Sequence, residues 1–273
     1  MIPAVVAPLT GLSVLVTRPQ PQAASLIERI GAAGGEAYSY PAIEIEPVAF
    51  SQAIRLDVPA YDCAIFLSVN AVRHGLEALA NNASTRIAAI GRATAAALTA
   101  GGARVDIVPA GAFDSEALMR ELETVIAAQQ RVLLVKGAGG RELLYERLRE
   151  RGVEVDVLEV YRRILPVIDV GKQQELENYW AEEGMGIVTL TSAEVLANLD
   201  ALLSDRGKHL LRTTPFLTVS GRIERIAREM GLKGESVLAR AEEDALIGAL
   251  ALWHARARSG QQSGTQLPSG SGA

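Results

Sequence analysis

Two stretches of this chain set reactive side chains beside sharp turns. In one, the alternating run Val153, Val155, Val157 leads into Val160-Tyr161-Arg162-Arg163, placing a phenol next to two guanidinium groups. A neutral phenol can donate a proton, and adjacent guanidinium groups attract carboxylates. In the other, the apolar run Val132 to Val135 ends in Lys136 and the turn Gly137-Ala138-Gly139-Gly140, with Arg141 beyond it. Five more turns have the same character: Thr17-Arg18, Ser68-Val69-Asn70, Gly91-Arg92-Ala93-Thr94, Thr191-Ser192 and Ser220-Gly221-Arg222. Each follows an apolar run and opens an amphipathic segment. Free N–H groups and the helix dipole favour anions at such places, so the set suits a ligand with several carboxylates or phosphates. Ser, Thr and Gly also serve there as caps and turn formers, so each position has a structural reading too.

The elements that position these turns repeat. Leu12 to Val16 reads as a short strand, Ala23 to Ile30 as a helix, and Glu36 to Pro41 as a second strand. Leu143, Leu144 and Leu148 fall on one helical face, and Gly152 punctuates that helix before the next strand. The segments LSVLVTR at 12–18 and RVLLVKG at 131–137 correspond, with Leu15 to Leu134 a shift of 119. Tyr61 to Val69 corresponds to Gly186 to Ser192, and Ser68 to Ser192 is a shift of 124. Residues 87–109 parallel 216–238, each reading as strand, small-residue turn, helix, glycine and strand. Self-similarity over this span indicates a duplicated unit. Alternating strands and helices predict an α/β fold with two similar open parallel sheets, whose ligands lie at the carboxyl ends of the strands. Helices are expected over 117–127 and 245–253, and the Gly/Ser/Gln-rich end, 256–273, is expected to be disordered.

Composition narrows the classes of function. The 273 residues are 49% apolar but only 4% aromatic, which supports two aliphatic cores. A net charge of −5 argues against non-specific nucleic-acid binding. The single cysteine, Cys63, cannot form an internal disulfide and reads as a small buried hydrophobe in a reducing compartment. The first residues carry no basic segment of a secretory signal, and no run of 18 apolar residues would span a membrane. The histidines, His74, His209 and His254, lack metal-ligand spacing. Position 142 is Glu, so the 137–140 turn is not a dinucleotide fingerprint, and the G-x-x-x-x-G-K-[ST] and G-x-S-x-G motifs do not occur. What remains is an enzyme with few side-chain catalysts and neither metal nor nucleotide, or a binding protein for small polyanions.

VLVTRP at 14–19, Ile43-Glu44-Ile45-Glu46-Pro47, IFLSVNAV, AIGRATAAAL, PAGAFDSEAL, LLVKGAGGREL, VEVDVLEVYRR, TLTS and TVSGRI occur in an order and spacing that resembles the uroporphyrinogen-III synthase family over about residues 12 to 252. The resemblance implies two flavodoxin-like domains linked by two strands, near 42–47 and 160–166. Domain 1 would be 1–43 plus 168–255, and the inserted domain 2 would be 48–164. It also implies a cofactor-free cytoplasmic monomer in heme biosynthesis that needs neither nucleic acid nor membrane. Such an enzyme closes the linear tetrapyrrole hydroxymethylbilane, with inversion of ring D and loss of water, to give uroporphyrinogen III. That substrate carries eight carboxylates and would be held in the cleft between domains, largely by backbone N–H groups. The alternative reading is a non-catalytic binder of tetrapyrroles or other polyanions.

On the family pattern Tyr161 is the candidate proton donor to the departing hydroxyl. The substrate contacts would come from Thr17, Arg18, Ser68, Val69, Asn70, Gly91, Thr94, Lys136, Gly137, Arg141, Ser192, Ser220 and Arg222, with no metal ligand. Leu67 stands where relatives can carry a hydroxyl, and Arg222 where a threonine can occur, which shifts weight to backbone donors. Positioning the reacting carbons can supply about 7–11 kcal/mol at best. A general acid adds roughly 10²–10⁴-fold.

Overall fold

The structure is a computed structural model and describes residues 7–20, 22–49, 61–79, 84–109, 115–140 and 142–262. The chain divides into two compact units: unit 1 is Met1–Glu44 with Leu165–Ala273, and unit 2 is Ile45–Ile164.

Unit 1 is built on strands β1 (Ser13–Val16), β2 (Glu36–Ser39), β8 (Ile187–Leu190), β9 (Phe216–Thr218) and β10 (Ser236–Leu238). They form a sheet in the order β10-β9-β8-β1-β2, with every neighbouring pair parallel. The residues of β1, β8 and β9 are buried throughout, as expected of central strands covered on both faces. Helix α1 (Gln22–Ala32) buries Ala23, Leu26 and Ile30, a stripe at helical spacing. With Leu217, Leu246, Leu250 and Trp253 this stripe forms the core on one side of the sheet.

Unit 2 carries β4 (Cys63–Phe66), β5 (Arg86–Ala89), β6 (Arg131–Gly137) and β7 (Glu154–Ile164). The short strand β3 (Glu44–Pro47), where the chain passes from unit 1 to unit 2, completes a sheet in the order β3-β7-β6-β4-β5. The β4–β5, β4–β6 and β6–β7 pairs are parallel. Against β7, Glu46 meets Arg162 and the Val48 N–H donates to the Val160 carbonyl, so β3 runs antiparallel. Pairing β1 with β6, β2 with β7, β8 with β4 and β9 with β5, as the sequence repeat does, gives four strands of each sheet one order; the fifth strands differ, β10 lying beside β9 and β3 beside β7.

Helix α2 (Val69–Gly75) tightens into a 3-10 turn at Leu76–Leu79. It is followed by α3 (Arg92–Ala100), α4 (Ser115–Val125) and α5 (Leu143–Glu150). One side of this sheet packs Leu133, Val135, Leu158 and Val160 with Ala71 and Val72 of α2 and Leu98 of α3. The other side packs Val132 and Leu134 with Leu118 and Leu122 of α4 and Leu144 and Leu148 of α5. Unit 1 adds α6 (Val170–Tyr179), α7 (Ala193–Leu202), α8 (Asp205–Thr213), α9 (Gly221–Glu229) and α10 (Glu243–Gln262).

Two expectations need correction. The tail expected from 256 begins inside α10, which runs to Gln262. Leu246, Leu250 and Trp253 anchor this helix, and Ala255, Arg256, Ala257 and Arg258 continue it as good helix formers. Residues 263–273 lie outside the described residues. The strand expected after α3 shrinks to one bridge between Ala88 and Ile107. There the Asp106 carboxylate accepts the Ile87 N–H at 2.9 Å, competing with a regular ladder.

Candidate functional site

The carboxyl end of the unit 2 sheet gathers the most chemistry. At Gly137 the register slips: Lys136 faces Glu159 across the ladder, but Gly137 faces Tyr161. This bulge brings the Tyr161 ring directly over Gly137. A Cβ at 137 would lie 2.5 Å from the ring's Cζ and 2.9 Å from its hydroxyl oxygen. The Ala138 N–H donates to the Tyr161 carbonyl at 2.7 Å, fixing the backbone from the same turn. Only glycine leaves room for this stacking, a requirement distinct from any need for positive φ.

The phenol is 6% exposed and meets the Ser68 hydroxyl at 3.1 Å. Ser68 caps α2, its Oγ accepting the Ala71 N–H at 2.9 Å. Helix α2 lies tight on the sheet, because a Cβ on Gly75 would come within 2.6 Å of the Val135 side chain. His74, one turn along α2, places its ring centroid 6.2 Å from that of Tyr161. Burial lowers the His74 pKa and Arg73 lowers it further, so this imidazole favours its neutral form.

Val69, Asn70, Gly91 and Thr94 belong to the same end of unit 2. Asn70 and Thr94 are buried in the first turns of α2 and α3, Gly91 is the extended residue before α3, and Val69 is half-buried. Lys136 parts company with Tyr161. It lines a cavity of about 410 Å³ with Leu67, Leu134, Glu142, Tyr145 and Glu159, on the α5 side of the sheet, whereas Tyr161 belongs to the α2 side. The Gly139 N–H donates to Glu159 at 3.3 Å on the lysine's side. Arg141 lies outside the described residues. Arg162, half of the pair noted in the sequence, is bound to Glu46 of β3 at 2.5 Å rather than turned toward the phenol.

In unit 1 the corresponding turns are largely closed on themselves. Thr17 is fully buried: its hydroxyl donates to the Thr189 carbonyl, its N–H meets Thr189 Oγ1 at 3.3 Å, and its carbonyl accepts the Ala42 N–H. Its side chain therefore holds strands together and presents no free donor. Arg18 is half-buried, and Nη2 donates to the Ala241 carbonyl at 3.1 Å; burial lowers its pKa, opposed by Glu243. Ser192 and Ser220 cap α7 and α9, accepting Val195 and Ile223 N–H groups at 3.0 and 3.3 Å. Arg222 is exposed. A separate cavity of about 720 Å³ in this unit is lined by Gln20, Tyr38, Tyr40, Asp169, Lys172 and Tyr179. The Tyr38 and Tyr179 rings there lie 4.3 Å apart.

Two partners of the site escape a reading by residue type: His74 beside the phenol, and Asn198, which donates to the Ala42 carbonyl at 2.9 Å. The repeat carries the signal for both, since the shift of 124 that relates Ser68 to Ser192 also relates His74 to Asn198. Cys63 is fully buried, and burial pushes its thiol up to about 12, which suits a core residue rather than a nucleophile.

The family model described as "Uroporphyrinogen-III synthase HemD" matches residues 24–248. The chain is 36% identical to the uroporphyrinogen-III synthase of Salmonella typhimurium and 33% identical to that of Escherichia coli, covering 88% of this chain and all of each relative. Its fold is similar to a mutant uroporphyrinogen III synthase from Thermus thermophilus, with a TM-score of 0.57 at 20% identity over 91% of this chain and 99% of that one. It is also similar to the uroporphyrinogen-III synthetase of Helicobacter pylori, with a TM-score of 0.56 at 14% identity over 90% and 99%. Taken with the two mostly parallel sheets and the residues at their carboxyl ends, these likenesses have one reading: the chain belongs to the uroporphyrinogen-III synthase family.

Proposed function

We propose that this protein closes the linear tetrapyrrole hydroxymethylbilane to uroporphyrinogen III, inverting ring D and releasing water, with Tyr161 as the proton donor. The observation that carries the reading is the phenol itself: held over Gly137 and against Ser68, at the end of the sheet where open α/β folds bind ligands. In this reading the Tyr161 O–H gives its proton to the substrate hydroxyl, the C–O bond breaks, and water departs with the electron pair. The methylene carbon left behind is attacked by the substituted carbon of ring D, whose bond to its original methylene bridge then breaks; that bridge rejoins ring D at the unsubstituted carbon, which inverts the ring. The unsubstituted carbon then loses its proton, which the phenolate takes back, so the net change is loss of one water.

The substrate's carboxylates are met chiefly by backbone N–H groups at the helix starts after Ser68, Gly91, Ser192 and Ser220, with Lys136, Arg18 and Arg222 as the cations. The side-chain oxygens of Ser68, Ser192 and Ser220 each accept one amide N–H of their own helix, and the other first-turn amides of those helices supply the backbone donors of this reading. We further propose that the protein works as a cytoplasmic monomer without cofactor, nucleic acid or membrane. Among the described residues, no helix is long and apolar enough to cross a bilayer.

The test is a product assay with synthetic hydroxymethylbilane, read out as ring isomer. The expected product is the inverted isomer, formed faster than in buffer. Finding only the uninverted ring at the uncatalysed rate would overturn the reading, and tight binding of the porphyrinogen in that case would favour a binding protein.

A further inference from the structure

Ser68 stands at an unusual junction. Its Oγ accepts the Ala71 N–H at 2.9 Å and lies 3.1 Å from the Tyr161 hydroxyl. A serine oxygen has two acceptor sites and one proton. The backbone donor occupies one acceptor site and fixes the oxygen in place, so the hydroxyl proton is available to the phenol. The phenol is closely packed: its ring lies over Gly137, the Ala138 N–H bonds the Tyr161 carbonyl, and Gly75 lets α2 lie against β6 and β7.

We infer that Ser68 is the positioning residue of Tyr161: it donates its hydroxyl proton to the phenol oxygen, which turns the phenol's own proton toward the departing hydroxyl and supports the phenolate after transfer. This inference deepens the proposed function and rests on Tyr161 being the proton donor. The step balances: the Tyr161 O–H bond breaks, the proton joins the leaving oxygen, and the serine O–H stays intact as it donates to the phenolate. A hydrogen bond to the ionised oxygen is stronger than one to the neutral phenol, so Ser68 contributes more as charge develops than in the resting state. Among the described residues, His74 is an ionisable group whose ring lies beside that of Tyr161, on the same helix as Arg73. Lys136 and Glu159 lie on the other side of the sheet, and Arg162 is paired with Glu46. None of these has the direct oxygen contact that Ser68 makes.

The experiment is a double-mutant cycle on the full-length protein, followed by steady-state kinetics and by the 13Cζ resonance of Tyr161 in tyrosine-labelled protein. Ser68→Ala is expected to lower kcat about tenfold with KM changed less than about twofold, the signature of an interaction used in the transition state. In the Tyr161→Phe background the same change should cost less than about twofold more, because Ser68 acts through the phenol. Ser68→Thr, which keeps the hydroxyl, should restore most of kcat and the wild-type Tyr161 resonance, which Ser68→Ala shifts. If Ser68→Ala does not fold, Ser68→Asp takes its place, since a carboxylate caps the helix but has no proton to donate to the phenol.

Equal losses from the serine change in both backgrounds, or an unmoved Tyr161 resonance, would overturn the inference and leave Ser68 as a helix cap. Unchanged turnover in Tyr161→Phe alone would instead overturn the donor role of Tyr161. A shifted resonance in Ser68→Ala would then still establish the contact, so the two failures are distinguishable.

Discussion

The two sheets share the order of four strands, yet those strands end differently. In unit 1, the positions that the repeat aligns with Lys136 and Tyr161 are Thr17 and Ala42, and both are used internally. The Thr17 hydroxyl bonds the Thr189 carbonyl, and Ala42 bonds Thr17 through its N–H and Asn198 through its carbonyl. In unit 2 the same location holds a tyrosine ring over a glycine, touched by the serine that caps the neighbouring helix. His74 takes the place of Asn198 and faces a ring instead of a backbone carbonyl. One scaffold thus supports two kinds of strand end: one sealed by hydroxyl-to-backbone bonds, one left with a reactive side chain and no bulk beneath it. The lesson is that duplication supplies position, and chemistry then depends on which copy stays unsealed.

The largest effect that could break this contrast is on turnover. Tyr161→Phe should lower kcat at least tenfold with the folding transition unchanged, because general-acid help is worth roughly 10²–10⁴-fold. Wild-type turnover in that variant would end the asymmetry. Thr17→Val should do the reverse, lowering stability by about 1–3 kcal/mol in denaturant titrations, since a buried carbonyl loses its donor. Its kcat per folded molecule should stay within about twofold.

Gly137→Ala tests whether the empty space under the phenol matters. The added methyl would meet the ring at 2.5 Å, so a loss of about 1–3 kcal/mol is expected, together with a shifted Tyr161 resonance. A fully stable variant with an unmoved ring would show that the close approach is not needed.

A smaller effect sharpens the view of unit 1 as the sealed copy. Thr218, fully buried at the end of β9, has a hydroxyl with no hydrogen-bond partner among the described residues. Thr218→Val should therefore raise stability by about 1 kcal/mol, seen as a higher urea midpoint. A loss of stability would mean that the hydroxyl is satisfied after all.

The smallest effect concerns the strands that link the units. The hydrogen bond from Arg162, joined by its charge, holds the Glu46 carboxyl below its usual value of 4.5. A carboxylate with a depressed folded pKa contributes stability above its unfolded pKa and loses it as pH falls through the folded one. Glu46→Gln should thus flatten the acid limb of the stability curve below about pH 4.5, an effect that fades in high salt because both groups are exposed. An unchanged limb would make the pair decorative.

Much of the architecture was legible from residue order. Apolar runs, turn glycines and two constant shifts were enough for paired α/β sheets, because burial on both faces makes a central strand a continuous apolar run that stands apart from the helical spacing around it. The helix starts at Ser68, Ser192 and Ser220 were readable for the same reason. The division of labour among them was not. That Lys136 and Tyr161 fall on opposite sides of the sheet depends on a one-residue slip at Gly137, which no local pattern announces. That the Thr17 hydroxyl is committed to Thr189 depends on a partner 172 residues away. The end of α10 was misplaced because a Gly/Ser/Gln-rich tail drew the boundary inward over residues that helix propensity and Trp253 hold in the helix.

The interrupted course of unit 1 bears on how the chain is made. Val14 pairs with Ile187, so β1 must wait while the intervening residues are synthesised before its neighbour β8 exists. The inserted unit has β4 to β7 contiguous and can settle first as the chain leaves the ribosome. Until then β1, α1 and β2 form a fragment with an uncovered apolar edge, the stage of biogenesis at which chaperone dependence and aggregation should concentrate.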